Sequence, residues 1–277
     1  MTVISILTDF GERDAFVGVM KGVIWNISPE VQIADLTHGI EPQNIQHGAW
    51  ILGQTYRYFP AGSIHIAVVD PGVGTKRRAI AARIGEHIFV APDNGLLTLP
   101  LEQAEANHWA VEVAELDKKN FWLPEVSRTF HGRDIFAPCA AHLANGVPLA
   151  EIGSLTSIPP VRITINKPVI MPNTIEAQVQ MVDVFGNIIT NLSADLLAGM
   201  EITAVQLGGW QIEGLSQTFG DSPPGSIIAM FDSSGYLSIC VVNGNARQHI
   251  SARVGDRVVV KFKFLDESGI SGASVLV

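Results

Sequence analysis

The 277-residue chain has only two cysteines, Cys139 and Cys240, far apart and each among apolar neighbours. That pattern reads as two buried, reduced thiols in a reducing compartment, not as a disulfide scaffold. Charged residues are scarce at 16%, and 18 Lys plus Arg against 27 Asp plus Glu leave a net charge of −9. Only Lys76, Arg77 and Arg78 cluster, so the basic stripe of a nucleic-acid binder is missing. The acidic balance favours a small-molecule or cationic ligand. Apolar runs are short, such as 66–69 and 258–260, far below the roughly 18 residues of a membrane helix. No His-x-x-x-His pair occurs and the histidines show no metal-site spacing, so no bound metal is expected. No basic leader precedes the first strand-like run, and cytoplasmic residence is the expectation. With 47% hydrophobic residues, general disorder is excluded.

The first part of the chain alternates strand and helix signals. Residues 3–7 form a short apolar run suited to a strand buried on both faces. Asp14 stands where an N-cap belongs, before Phe16, Val17, Met20, Val23, Ile24 and Ile27 at helical spacing. Residues 31–36 and 63–69 read as further strands, with Pro42 opening a helix that runs towards Tyr58. Residues 79–84 and 87–91 flank a Gly85-Glu86 turn, and a helix is expected from Asp134 to Gly146. Strand-helix alternation predicts an α/β domain over 1–160 with a mainly parallel central sheet. Pro159, Pro160, Pro168 and Pro172 mark a linker over 161–173. Beyond it, strands at 174–182, 202–207, 226–230, 236–242 and 257–264, separated by turn residues, predict a smaller all-β antiparallel, barrel-like domain over 174–277.

Ligands of open parallel sheets bind at the carboxyl ends of strands. Three polar clusters fall there, at 8–11, 35–38 and 70–77. Gly72 and Gly74 permit the torsions of an anion-binding nest, although the Gly-Lys-Ser/Thr ending of a P-loop is absent. His131 precedes a helix start beside Asp134, where dipole and carboxylate act oppositely on its proton affinity. A metal held by Asp9, Asp70 and His131 after folding stays open as an alternative. In the second domain, Asp183, Phe185, Asn187 and Asn191 offer hydrogen bonds around an aromatic face, which suits a nucleoside. An Asx-stabilised turn is the plain alternative for that segment.

Six motifs follow one another along almost the whole chain: Leu-Thr-Asp-Phe-Gly at 7–11, Val-Asp-Pro-Gly-Val-Gly-Thr-Lys-Arg-Arg at 69–78, Ala-Pro-Asp-Asn-Gly-Leu-Leu at 91–97, Thr-Phe-His-Gly-Arg-Asp at 129–134, Asp-Val-Phe-Gly-Asn at 183–187 and Ser-Gly-Tyr-Leu at 234–237. In this series the chain resembles the S-adenosyl-L-methionine hydroxide adenosyltransferases, relatives of the adenosyl-fluoride and adenosyl-chloride synthases. The resemblance implies a homotrimer with the adenosyl donor bound between the first domain of one subunit and the second of the next. It implies that Asp9 holds the ribose hydroxyls and that Asp183 and Asn187 hold the methionine part and the adenine side. Phe185 and Phe219 then line the pocket, Ser233 contacts methionine, and Phe130 is placed with the substrate-binding residues. The family's water-activating trio falls on Asp70, Arg77 and His131, which the halogenating relatives lack. Gln43 stands where the fluoride-forming relative has tryptophan, and Ser234 and Val241 replace arginines there.

The implied reaction is hydrolysis of S-adenosyl-L-methionine to adenosine and methionine, with no cofactor. Its leaving group is a neutral thioether, so the demanding step is giving water hydroxide character. Arg77 is expected to supply positive potential, and Asp70 and His131 to orient the water and take its proton. A halide-using adenosyl transferase and a non-catalytic adenosine or donor sensor are the competing readings.

Overall fold

A computed structural model describes residues 2–265. The expected second-domain segment 174–277 thus includes residues 266–277, which lie outside the described residues. The chain divides into two units, with the boundary between Thr164 and Ile165.

The first unit runs β1 (Val3–Thr8), α1 (Phe16–Ile27), β2 (Gln32–Thr37), α2 (Ile45–Thr55), β3 (Ile64–Val68), β4 (Ala79–Ile84), β5 (His87–Pro92), α3 (Thr98–Asn107), β6 (Val111–Glu115), α4 (Ala137–Ala144), α5 (Leu149–Ile152) and β7 (Ser154–Leu155). Its seven-stranded sheet has the order β2-β1-β3-β5-β4-β6-β7. β2, β1, β3 and β5 are parallel, and two antiparallel steps bring β6 into the same direction. Strand alternation feeds two cores. Ile4, Ile6, Ile64 and Ile66 meet Met20, Ile24, Phe136 and Cys139 from α1, the turn before α4, and α4 itself. Leu7, Ala67 and Phe89 face the opposite layer with Leu52, Leu97 and Leu101. Burial on both faces explains why β1 and β3 are mostly apolar.

The ends of the helices differ from expectation. α1 begins at Phe16 after Ala15, with no side-chain cap, so Asp14 is not its N-cap. Pro42 lies ahead of α2, which Asn44 caps by accepting from His47 N. The expected helix from Asp134 instead opens with a π-helical turn, Gly132–Phe136, before α4. Such turns interrupt regular helices at a cost and often mark functional positions. α3 and β6 escape the sequence reading; three charged residues on and beside β6, Glu112, Glu115 and Asp117, mask its inward Val113 and Ala114.

The second unit contains β8 (Val169–Ile170), β9 (Thr174–Val182), β10 (Ile188–Ser193), β11 (Met200–Leu207), β12 (Trp210–Glu213), β13 (Ile227–Phe231), β14 (Tyr236–Val241), α6 (Ala246–Ile250) and β15 (Arg257–Phe264). All pairs are antiparallel, in the order β12-β11-β15-β9-β10-β14-β13, with β8 on β9. The sheet curls into a nearly closed barrel. In β15, Val258, Val260 and Phe262 point inward while Arg257, Lys261 and Lys263 point outward, which pins the register because a one-residue slip would bury the charges. Both cysteines are buried, and desolvation pushes each thiol up to about 12. Among the described residues, no helix is long and apolar enough to cross a membrane.

Candidate active site

Asp9, Asp70 and His38 gather beyond the carboxyl ends of neighbouring strands β1, β3 and β2, where an α/β sheet offers its binding crevice. From β3 the chain enters a loop carrying Asp70 and Arg77 and leaves it through Arg78 into β4. Within the loop, Val73 N donates to the Asp70 carbonyl and Thr75 N to that of Gly72. These two amides are taken up in turns. Gly74 instead has a φ of +76°, and a Cβ there would lie 2.3 Å from the Arg128 carbonyl oxygen. The bare backbone lets the loop press against the segment leading to His131.

Arg77 is the hub of that contact. Its Nε donates to Asp70 Oδ1 at 3.1 Å and Oδ2 at 3.0 Å, and Nη2 donates to Oδ2 at 2.5 Å. Nη2 also lies 2.9 Å from His131 Nδ1. A guanidinium has no acceptor, so Nδ1 must receive this bond and the neutral imidazole carries its proton on Nε2. Side chains of Asp70 and Arg77 are only 5% and 10% exposed, which makes their charge-assisted pairing stronger than a surface one. The Arg77 guanidinium also rests over the Phe136 ring, 5.2 Å from its centroid. Sequence therefore brings Asp70, Arg77 and His131 into one connected trio.

Burial and then the Arg77 charge lower the His131 pKa below its ordinary 6.5, only partly opposed by Asp70 and Asp134. Asp134 is fully buried. Its Oδ2 accepts from Ser127 N at 2.8 Å and Ser127 Oγ at 2.7 Å, while Oδ1 accepts from Arg133 Nε at 2.6 Å. Burial opposes this carboxylate, but those bonds outweigh it and hold its pKa below the usual range. Ser127 Oγ in turn accepts from Phe130 N at 3.0 Å, so Asp134 braces the segment that presents His131.

Phe130 forms an aromatic group with Phe10 and Phe16, at centroid distances of 5.9 and 5.2 Å. Asp9 Oδ2 accepts from Gln43 N at 2.7 Å, and Gln43 is held at a φ of +65°. A non-glycine residue in that region is strained, and such strain concentrates at ligand-binding positions. Beneath Asp9, Thr8 Oγ1 and His38 Nδ1 are 2.9 Å apart, His38 Nε2 and Asp35 Oδ1 3.0 Å, and Lys21 donates to Asp35 Oδ2 at 2.6 Å. Sequence reasoning marked 35–38 as polar but missed this brace; a buried threonine beside a strand end was its available signal. Among the described residues, no three His, Cys, Asp or Glu side chains converge as metal ligands.

The second unit has its own cavity, of about 640 Å³. Asp183, Phe185, Asn187, Phe219 and Ser233 all line it, although they come from three separated stretches of sequence. Asp183 Oδ1 accepts from Phe185 N and Asn187 N at 2.9 and 2.8 Å, and Oδ2 from Asn187 Nδ2 at 2.8 Å. Gly186 turns between them at a φ of +88°, packed so closely on Asn245 that a Cβ would overlap its amide. The Asx turn and the binding wall are thus the same object. Phe185 is 73% and Phe219 45% exposed, leaving aromatic faces free for a planar ligand. Asp232, in a segment read from sequence as a turn, was not singled out as a cavity residue; its Oδ1 accepts from Ser234 N and Tyr236 N and its Oδ2 from Ser238 Oγ, shaping the turn that carries Ser233. A carboxylate answering amides two and four residues ahead was the signal for it.

The α/β unit thus carries a hydrogen-bonded Asp-Arg-His trio and the barrel a cavity with polar and aromatic walls. The SAM hydroxide adenosyltransferase N-terminal domain matches residues 4–153 and the corresponding C-terminal domain matches residues 177–259. The chain belongs to the SAM hydroxide adenosyltransferase family. It is 38% identical over 259 residues to a Salinispora arenicola protein named (R)-S-adenosyl-L-methionine hydrolase, covering 93% of this chain and 97% of that one. A Thermus thermophilus protein of the same name is 37% identical, with coverage of 92% and 98%. A fluorinase from Actinopolyspora mzabensis is 29% identical, covering 86% and 89%. The crystal structure of a conserved Thermotoga maritima protein superimposes with a TM-score of 0.86 at 36% identity, over 93% of this chain and 99% of that one.

Proposed function

We propose that this protein hydrolyses S-adenosyl-L-methionine to adenosine and L-methionine, acting on the (R) sulfonium epimer named for its relatives. The observation that carries this reading is the Asp70-Arg77-His131 trio, in which Arg77 bonds both partners. Water oxygen forms a bond to C5′ while the C5′–S bond breaks, and its electron pair goes to sulfur to give a neutral thioether. Bond formation makes the attacking oxygen strongly acidic, so a modest base suffices to take its proton. His131 Nδ1 is already occupied by Arg77. Asp70 retains lone pairs beyond those used by Arg77 and is the acceptor. Arg77 holds the Asp70 carboxylate in place to take that proton, and His131 acts through Arg77 by fixing the guanidinium plane. The reaction balances with donor and water alone, without cofactor or metal.

Asp9 holds the ribose in this reading, with Phe130 beside it. Asp183, Asn187, Phe185, Phe219 and Ser233 receive the methionine and adenine parts. A homotrimer, in which the trio of one subunit faces the barrel cavity of the next, assembles the complete site and dries it. Cytoplasmic residence supplies the donor.

The test is chromatography of the purified protein incubated separately with the (R) and (S) epimers, with and without chloride and with a chelator arm. Equal amounts of adenosine and methionine, faster from the (R) epimer and insensitive to chelator, are expected. 5′-Chloro-5′-deoxyadenosine as the main product, or donor retained without turnover, overturns the hydrolase reading.

A further inference from the structure

The turn Pro92-Asp93-Asn94-Gly95 contributes no residue to the trio or to the cavity, yet it grips both ends of the loop that carries Asp70 and Arg77. At the entry, Asn94 Nδ2 donates to the Val69 carbonyl at 2.8 Å. That carbonyl belongs to the peptide whose nitrogen is Asp70's own, so the bond fixes the plane from which the Asp70 side chain departs. Asn94 Oδ1 accepts from Leu96 N at 3.3 Å, which orients the amide with its donor towards Val69. At the exit, Asp93 N donates to the Arg78 carbonyl at 2.9 Å. Asp93 Oδ2 receives Arg78 Nε at 2.9 Å and Arg78 Nη2 at 2.6 Å, with the Asp93 side chain only 3% exposed. The same pair secures the chain beyond β7: Val161 N donates to Asp93 Oδ1 at 2.7 Å and Arg78 Nη2 to the Pro159 carbonyl at 2.9 Å.

We infer that Asp93 and Asn94 are positioning residues for the reaction, a two-ended clamp that sets the separation of Asp70 from Arg77 and holds Arg77 against His131. This rests on the hydrolase reading of the trio. Holding the loop at its two ends is what its geometry demands. Asp70 and Arg77 are seven positions apart, on either side of a turn with Gly74 at its tip, and each is joined to one gripped residue by a single peptide bond. A displacement of about 1 Å in such groups costs on the order of a hundredfold in rate. Loss of one grip shifts the hub without removing any member of the trio.

Asn94→Asp is the discriminating variant. It keeps shape and the Oδ1 acceptor but replaces the donor with an oxygen facing the Val69 carbonyl. We expect kcat to fall about ten- to a hundredfold with KM within about twofold. The His131 ring resonances, followed by NMR, should titrate closer to the ordinary histidine value, because Arg77 is no longer held against Nδ1; Asp70 and Asp134 are the carboxylates acting on that ring. The control is Asn145→Asp. Asn145 Nδ2 donates to the Ile27 carbonyl at 2.9 Å elsewhere in the same unit. It should lower Tm comparably while leaving kcat and the titration unchanged. If Asn94→Asp does not fold, Arg78→Lys loosens the exit grip alone and should move both readouts in the same direction. Wild-type kcat with an unmoved His131 titration in the folded variant overturns the clamp, as does an equal response in Asn145→Asp. A wild-type protein that hydrolyses no donor refutes the hydrolase reading instead, and the NMR titration still decides the clamp.

Discussion

Gly74 and the Arg128 carbonyl meet with no room for a methyl group: a Cβ on Gly74 would stand 2.3 Å from that oxygen. Two loops far apart in sequence are joined there, one bearing Arg77 and the other leading to His131. Gly74→Ala must push them apart and also strain a φ of +76°, a penalty of about 1–2 kcal/mol from backbone conformation alone. The expected outcome is a folded protein with a lower Tm and kcat reduced at least tenfold. Unchanged kcat at lowered Tm would mean the two loops need not touch for the chemistry.

His131 serves Arg77 as a hydrogen-bond acceptor, and that role separates two substitutions. His131→Ala should lower kcat about a hundredfold or more, with donor binding little changed by calorimetry. His131→Asn offers an oxygen in place of Nδ1 and should recover part of the loss. Equal inactivity of both variants would instead mark the imidazole as the proton acceptor.

The acid limb of the rate profile follows from the same bond. Protonated His131 cannot accept from Arg77, so activity requires the neutral ring. Burial and Arg77 hold the His131 pKa below 6.5, and kcat/KM should fall on acidification only below that value. A limb centred at or above 6.5 contradicts this assignment.

Far from the site, a buried chain of Ser5 Oγ, His65 and His87 is linked at 2.6 and 3.0 Å. Burial first, then His87, lower the His65 pKa to about 3. The unfolded chain therefore binds the proton more readily than the folded one. Stability is complete above about pH 6.5 and declines as pH falls towards 3, by up to about 1.4 kcal/mol per pH unit. Denaturant titrations at pH 7.5, 6 and 4.5 should show that slope, and His65→Gln should flatten it while lowering stability at pH 7.5. A slope unchanged by His65→Gln would assign the acid sensitivity elsewhere.

In the barrel, Phe185 is a largely exposed aromatic on the rim of the cavity. Phe185→Ala should raise KM about three- to tenfold through loss of stacking, with kcat within about twofold. A kcat loss without a KM change would place this ring near the reacting atoms instead.

Sequence carried the fold class because burial on both faces makes β1 and β3 mostly apolar, while β9 and β15 alternate. β10 was hidden because its Thr190 and Asn191 are polar yet buried: Thr190 Oγ1 donates to the Leu237 carbonyl and Asn191 Nδ2 to that of Asn166. Polarity there signalled a turn, whereas tertiary partners satisfy it inside the sheet. The trio residues were legible as motif members. Their shared hub was not, because Arg77 and His131 are 54 positions apart and meet only through the packing of the loop against the segment before α4. Asp93 and Asn94 were visible as part of a motif, but side chains that bind backbone carry no chemical label in a sequence.

The two buried thiols have a practical corollary. With both held near a pKa of 12, almost none of either is thiolate at neutral pH, and maleimide or iodoacetamide finds no ready nucleophile. A cysteine introduced on the barrel rim would therefore be the single reactive handle on the chain. A fluorophore placed there could report donor capture in real time against an unlabelled background.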